Sequence, residues 1–318
     1  MSILIVGSDG QDGKILSSLI DNQELCLKQN KYGIFLDKKL ILDLTHYSYQ
    51  SLANLLKVFG ITKIFFFAAV SRSTQEIYSM NSDFETEKKY YALHNILETT
   101  IRAIEFNRTK VKFFFASSSL IFAGTRELPQ NENTKTFPLE TYARDKVKAT
   151  EYLIDFGRSK EFFELYIGIF YNHESVYRKK GFFTRKVIET AISILLNPTE
   201  DFKLSLLNVN SVIDISHAED FMRNLLKLVE VGQPGSYIFS KGQGITTLDF
   251  VSEVFDYFHL DHNSYLETIE NESKVRFITP LIGMNTKLKN ELGNDFFESG
   301  TRLSQRLCKE WMSKFGYF

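Results

Sequence analysis

The chain has 318 residues, 43 % of them apolar and 24 % charged, with a formal net charge of −1. This is an ordinary globular composition, with enough apolar matter for a sizeable core in one large domain or two small ones. Near-neutral charge gives no electrostatic footprint for nucleic acid or an anionic membrane surface.

The longest apolar runs, such as residues 61–70, are too short and interrupted to span a bilayer. No basic segment precedes the first apolar run, so no secretory signal is expected. Cys26 and Cys308 lie too far apart for a metal spacing and are expected as free thiols in a cytoplasmic protein.

Residues 2–6 predict a short strand. Gly7-Ser8-Asp9-Gly10-Gln11-Asp12-Gly13 follows, and residues 14–20 have helical periodicity. A glycine triplet between strand and helix suits a dinucleotide. Gly7 permits the tight turn, Gly10 lets a pyrophosphate approach the backbone, and Gly13 lets helix and strand pack closely, with the helix N-terminus facing the phosphates. A glycine-rich turn without ligand is the plain alternative.

Residues 24–28 predict a second strand. An NAD-selective site usually ends this strand in a carboxylate. Here Lys28-Gln29-Asn30-Lys31 offers two ammonium groups instead. They suit a 2′-phosphate or are ordinary solvated lysines, so NAD and NADP both stay open. Residues 40–44 predict a third strand ending in Asp43-Leu44, where Asp43 could accept from an adenine amino group.

Residues 48–59 predict an amphipathic helix. Residues 61–69 form a mainly apolar run of strand length, as expected of a parallel strand buried on both faces. It ends Phe67-Ala68-Ala69-Val70-Ser71, where Ala68, Ala69 and Ser71 would let a cofactor cross the strand's carboxyl end. A long helix over 85–107 and a strand over 111–116 follow, and the strand delivers Ser117-Ser118-Ser119. Tyr142 and Lys146, four apart in a helix over 142–156, share one face.

With a further strand over 165–171, this alternation predicts an α/β fold: a Rossmann-type doubly wound parallel sheet in residues 1–170. Returning segments at about 205–240 and a smaller interleaved α/β substrate lobe in 171–318 complete the expected organisation. Helices are expected over 181–196, 217–229 and 249–259, with a short strand over 212–215.

A serine hydroxyl, a phenol and an ammonium at one point can move a proton on and off a sugar alcohol while a nicotinamide carries the hydride. Taken alone, Tyr142 and Lys146 would read as a surface pair. Together with the glycine turn and the serines, the chain resembles the extended short-chain dehydrogenases/reductases that act on nucleotide sugars, in particular the GDP-mannose 4,6-dehydratases. The resemblance also rests on Asn172-His173-Glu174-Ser175, Phe183-Thr184-Arg185-Lys186, Asp214-Ile215-Ser216-His217-Ala218-Glu219-Asp220 and residues 286–293. It covers nearly the whole chain, and the Asn-His-Glu-Ser element is its most specific part.

The resemblance implies roles. Tyr142 would be the acid/base, and Lys146 would hold the nicotinamide ribose and lower the phenol's pKa, which is near ~10 when unperturbed. Ser118 would hydrogen-bond the sugar oxygen, and Gln11 and Asp12 would belong to the cofactor loop. Asn172 would contact the substrate diphosphate with His173 beside it. Arg185 and Lys186 would grip the nucleotide, with guanine the implied base, and Arg276 or Lys274 would supply a phosphate-binding cation. The helix over 83–107 would pair with its mate in a homodimer.

One departure matters most. The family's second acid/base, a Glu two residues after the catalytic Ser/Thr, is Leu120 here. An alkyl group cannot do general acid–base work. Ile213-Asp214-Ile215 likewise replaces the family's Arg-Asp-Trp. The expected function is hydride transfer at C4 of a GDP-linked sugar without dehydration, as dehydrogenase, keto-reductase or epimerase. The alternatives are a true 4,6-dehydratase using another base, such as Glu127 or Glu132, and a non-catalytic NAD(P)-binding scaffold.

Overall fold

The computed structural model describes residues 2–20, 25–43, 47–69, 83–206, 208–268, 279–293 and 302–317, with the side chains of 83–91 outside the description. Strand β1 (Ser2–Val6) leads through a turn into helix α1 (Gln11–Leu19). Strands β2 (Leu25–Gln29), β3 (Gly33–Leu36) and β4 (Lys39–Asp43) follow. Next come α2 (Tyr49–Val58), β5 (Ile61–Phe66), α3 (Asp83–Asn107), β6 (Val111–Ser118), α4 (Thr141–Gly157) and β7 (Phe163–Phe170).

The remainder is β8 (Asn172–Glu174), α5 (Phe183–Leu196), β9 (Leu204–Leu206), β10 (Val212–His217), α6 (Ala218–Val231), β11 (Gly235–Phe239), β12 (Gly244–Thr246), α7 (Thr247–Tyr257), β13 (Leu266–Thr268), α8 (Thr286–Leu292) and α9 (Leu303–Lys314).

The main sheet has the order β11-β7-β6-β5-β1-β2-β3-β4. From β11 to β2 every described pairing is parallel. The aromatic strands explain why this part is buried on both faces. Side chains alternate along a strand, so Phe66, Phe113 and Phe115 join the core under α2, α3 and α4, while Phe65 and Phe114 join the core under α1 and α6. All five are at most 2 % exposed. Burying each stabilises the fold by roughly 1.5–3 kcal/mol.

The outer edge departs from the sequence expectation. Strand β3 is an addition to the expected elements, and it pairs antiparallel with both β2 and β4. The segment after β2 is too short for a crossover helix, and residues 37–38 turn the chain straight back into β4. The expected third parallel strand therefore lies one strand farther out, with Asp43 opposite Gly33.

A separate core in the second half packs α5, α7 and α9 around β9 and β10, with Val187, Ile215, Phe250, Val254, Leu307 and Trp311 at its centre. Ionic contacts fix α9 in place. Arg306 pairs with Glu219, Asp220 and Glu310, and His217 Nε2 lies 3.0 Å from Glu310. Asp214 accepts from the backbone N–H groups of Lys241, Gly242 and Gly283, although burial pushes its carboxyl up to about 6.

Neither cysteine is in a disulfide; Cys308 is buried and Cys26 half-buried. No helix among the described residues is long and apolar enough to cross a membrane.

Candidate active site

The site is assembled at the carboxyl ends of β1, β5 and β6. Gly7 leaves β1 at φ +89°, in the left-handed region that glycine tolerates. A Cβ there would lie 2.7 Å from the backbone nitrogen of Ala68. The turn thus presses against the residues that follow β5. At Gly13 a Cβ would lie 2.5 Å from the Gly7 carbonyl, so the third glycine is needed for α1 to seat on the turn. Gly10 caps α1 with no side-chain bond to its first turn, so no side chain at the cap occupies the helix's first N–H groups.

Ala68, Ala69, Tyr142 and Lys146 line one cavity with Leu93, His94 and Asp145. Tyr142 and Lys146 share the inner face of α4, as the four-residue spacing requires. The Lys146 ammonium donates to the Ala116 carbonyl at 2.7 Å and lies 4.7 Å from the Phe115 ring centroid. Burial lowers its pKa to about 8, and the charges of Asp145 and Asp12 work against that loss.

Ser118 ends β6 two residues past Ala116, so both present the same strand face. Its Oγ accepts from Leu120 N at 3.3 Å, and a hydroxyl that accepts still has its proton to donate.

Leu120 packs against the apolar cluster of Ile121, Phe122, Ile167, Ile169 and Tyr171. Both alternative carboxylates accept hydrogen bonds within the fold. Glu127 accepts from Thr134 Oγ1 at 2.7 Å and from Asn131 Nδ2 at 3.2 Å. Glu132 accepts from Ile238 N at 2.9 Å in the edge strand β11, two strands from β6.

The Asn172 loop meets the glycine turn from the other side. Asn172 is exposed at the start of β8, beside Ile215. Gln11 Nε2 donates to the His173 carbonyl at 3.0 Å, Ser175 Oγ donates to Gln11 Oε1 at 2.9 Å, and His173 Nε2 lies 3.0 Å from Asp12 Oδ1. The side chains of Gln11 and Asp12 are therefore engaged with this loop, while their backbone belongs to the turn.

Arg185 and Lys186 also have partners within the fold. Arg185 binds Glu189 at 2.8 Å, donates to the Arg178 carbonyl at 2.7 Å and lies over Trp311. Lys186 Nζ donates to Ser205 O at 2.5 Å. Asp43 lies on the displaced outer strand. Leu44, Ser71, Lys274 and Arg276 lie outside the described residues.

Sequence reasoning missed Asp145 and His94. Asp145 is three residues after Tyr142 and so on the same helical face, a signal that was available; His94 comes from α3 and only packing brings it there.

Residues 4–295 match the family model described as GDP-mannose 4,6 dehydratase. The chain is 30 % identical over 145 residues to a GDP-mannose 4,6 dehydratase of Homo sapiens, covering 46 % of this chain and 38 % of that protein. It is 33 % identical over 144 residues to a GDP-mannose 4,6-dehydratase of Yersinia enterocolitica, covering 45 % and 37 %. The aligned part thus spans less than two fifths of these relatives.

Among solved structures, RMD from Pseudomonas aeruginosa complexed with NADPH superposes with a TM-score of 0.77 at 15 % identity, covering 98 % of this chain and 99 % of that one. A UDP-N-acetylglucosamine 4-epimerase from Methanobrevibacter ruminantium gives 0.74 at 16 % identity, covering 98 % of each. These likenesses bear on the fold, which is the Rossmann type expected from the alternating strands and helices. The match over residues 4–295 places this chain in the GDP-mannose 4,6-dehydratase family.

Proposed function

We propose that this chain is a nucleotide-sugar oxidoreductase that transfers a hydride between a nicotinamide dinucleotide, NAD or NADP, and C4 of a GDP-linked sugar, without removing water. The observation that carries this reading is Leu120: an alkyl side chain on an apolar cluster stands where the family's second acid/base belongs, and Glu127 and Glu132 are both bonded elsewhere. The shared cavity of Tyr142 and Lys146, and the bond from Lys146 to the Ala116 carbonyl two residues before Ser118, support the rest of the hydride-transfer set.

A dinucleotide fits the glycine turn. Its pyrophosphate would lie against the Gly10 backbone and the uncapped start of α1. A bound nicotinamide would supply the hydride acceptor or donor at C4. Tyr142 would take the C4 hydroxyl proton as phenolate, or return it as phenol. Lys146 would stabilise that phenolate with its ammonium, and Ser118 would donate a hydrogen bond to the C4 oxygen. Asn172, exposed beside the glycine turn, would contact the diphosphate. Arg185 and Lys186, bonded to Glu189 and Ser205, would shape the nucleotide pocket from behind rather than grip its phosphates.

Family membership favours guanine as the base, and a homodimer formed through α3 and α4. Both helices present charges outward, Glu98, Arg102 and Glu105 against Arg144, Lys148 and Glu151. Such a dimer should weaken with salt in sedimentation runs, because exposed ion pairs are screened.

The deciding experiment is incubation with GDP-mannose and related GDP-sugars, with cofactor, followed by mass spectrometry. A 4-keto sugar two hydrogens lighter, or a 4-epimer of unchanged mass, is expected. A product lighter by one water would establish the dehydratase reading instead.

A further inference from the structure

The Asn172 loop and the glycine turn are joined by one largely buried ionic contact. The side chains of His173 and Asp12 are 12 % and 19 % exposed. His173 Nδ1 lies 2.7 Å from the Tyr171 carbonyl and Nε2 lies 3.0 Å from Asp12 Oδ1. Both partners are acceptors. A neutral imidazole carries one N–H and would set a ring lone pair against an acceptor at one of the two contacts, whereas an imidazolium donates to both. Asp12 Oδ1 also accepts from Gln11 Nε2 at 3.4 Å, as a carboxylate oxygen does. The ring is clamped between Phe170 and Phe221, with centroids at 5.2 and 5.0 Å.

We infer that His173 is a positioning residue: as an imidazolium bonded to Asp12 it locks the glycine turn and the Asn172 loop into one body, coupling the order of the two halves of the site. This rests on the proposed reading of the two segments as cofactor and substrate loops. Two further bonds run parallel to the ion pair, from Gln11 to the His173 carbonyl and from Ser175 to Gln11. Loosening one segment therefore loosens the other, and a ligand that orders one favours ligation at the other by the same factor.

The other charges facing the pair are Arg178, which favours the ionised carboxylate and disfavours the charged ring, and Lys146, which is coupled to Asp12. Burial alone would lower His173, but the Asp12 charge and hydrogen bond hold it above its ordinary value. Burial alone would raise Asp12, yet His173 holds it below. The contact therefore persists between the two titrations. It is lost on the alkaline side as His173 gives up its proton above its raised pKa, and on the acid side as Asp12 is protonated below its lowered one.

The test uses the full unliganded chain. Nitrogen NMR of the His173 ring should show both nitrogens protonated at pH 7. In His173→Gln, amide hydrogen exchange should rise in residues 7–13 and 172–175 together, on the order of tenfold relative to wild type at the same pH, the factor that corresponds to one unit of pKa shift. The excess over wild type should shrink at alkaline pH, where the wild-type ring has itself lost its charge. Asp12→Asn should reproduce the joint rise from the other side, and it carries the test if His173→Gln does not fold.

A neutral His173 ring at pH 7, or faster exchange around residue 173 with residues 7–13 unchanged, would overturn the inference. No ligand enters these measurements, so they stand or fall separately from the nucleotide-sugar reading.

Discussion

The centre of the sheet and its outer edge are built on different rules. At the centre, β1, β5 and β6 are parallel and buried on both faces, with aromatic side chains in β5 and β6, and their carboxyl ends lead into Gly7, Ala68 and Ser118. At the edge, β3 and β4 form an antiparallel hairpin in which Ile34 of β3 is still buried while the side chains of β4 are half-exposed or exposed. Chemistry that needs atoms held within tenths of an ångström is placed where packing over-determines the backbone. The edge, where the adenosine of the proposed cofactor would lie, is free to depart from the common plan.

That contrast can be broken by graded substitutions. The largest effect is expected at the centre. Tyr142→Phe should lower turnover on the order of 10²- to 10⁴-fold, the usual contribution of a positioned acid/base, while cofactor affinity measured by fluorescence quenching stays near wild type. Retention of most activity would remove the phenol from the mechanism.

An intermediate effect is expected at Asp145. Its negative charge helps Lys146 keep its proton. In Asp145→Asn the ammonium should be lost at lower pH than in wild type, where the limb falls near the lysine's pKa of about 8. The alkaline limb of the kcat/KM profile should therefore move down in pH, with a loss of roughly two- to tenfold at pH 8 for a shift of up to one unit. An unmoved limb would show that Lys146 does not govern it.

The smallest effect is expected at the edge. Asp43→Ala should change cofactor affinity less than about threefold, under ~0.7 kcal/mol, because β3 holds Asp43 one strand farther from the glycine turn. A larger loss in a titration would mean that the hairpin still delivers this carboxylate to the cofactor.

The site was legible in proportion to how local its signals were. The Gly7–Gly13 turn, the apolar run into Ser118 and the spacing of Tyr142 and Lys146 are short-range patterns that dictate a turn, a buried strand and a helical face. Leu120 was equally plain, because the absence of a carboxylate at a given position needs no fold to be read. Family likeness implied that Arg185 and Lys186 grip the nucleotide; which partners they have within the fold, Glu189 and the Ser205 carbonyl, only packing shows, since a half-buried guanidinium or ammonium is satisfied wherever the fold leaves it.

By itself the sequence determined the alternating parallel core, the glycine turn at its first crossover and the inward face carrying Tyr142 and Lys146, because periodicity and steric demands act within a few residues. Only the tertiary structure decided that β3 reverses direction at the edge, that Asp145 and His94 share the Lys146 cavity, and that His173, 161 residues from Asp12, closes on the glycine turn. Those outcomes depend on which distant segments exclude water from one another, and no local pattern records that.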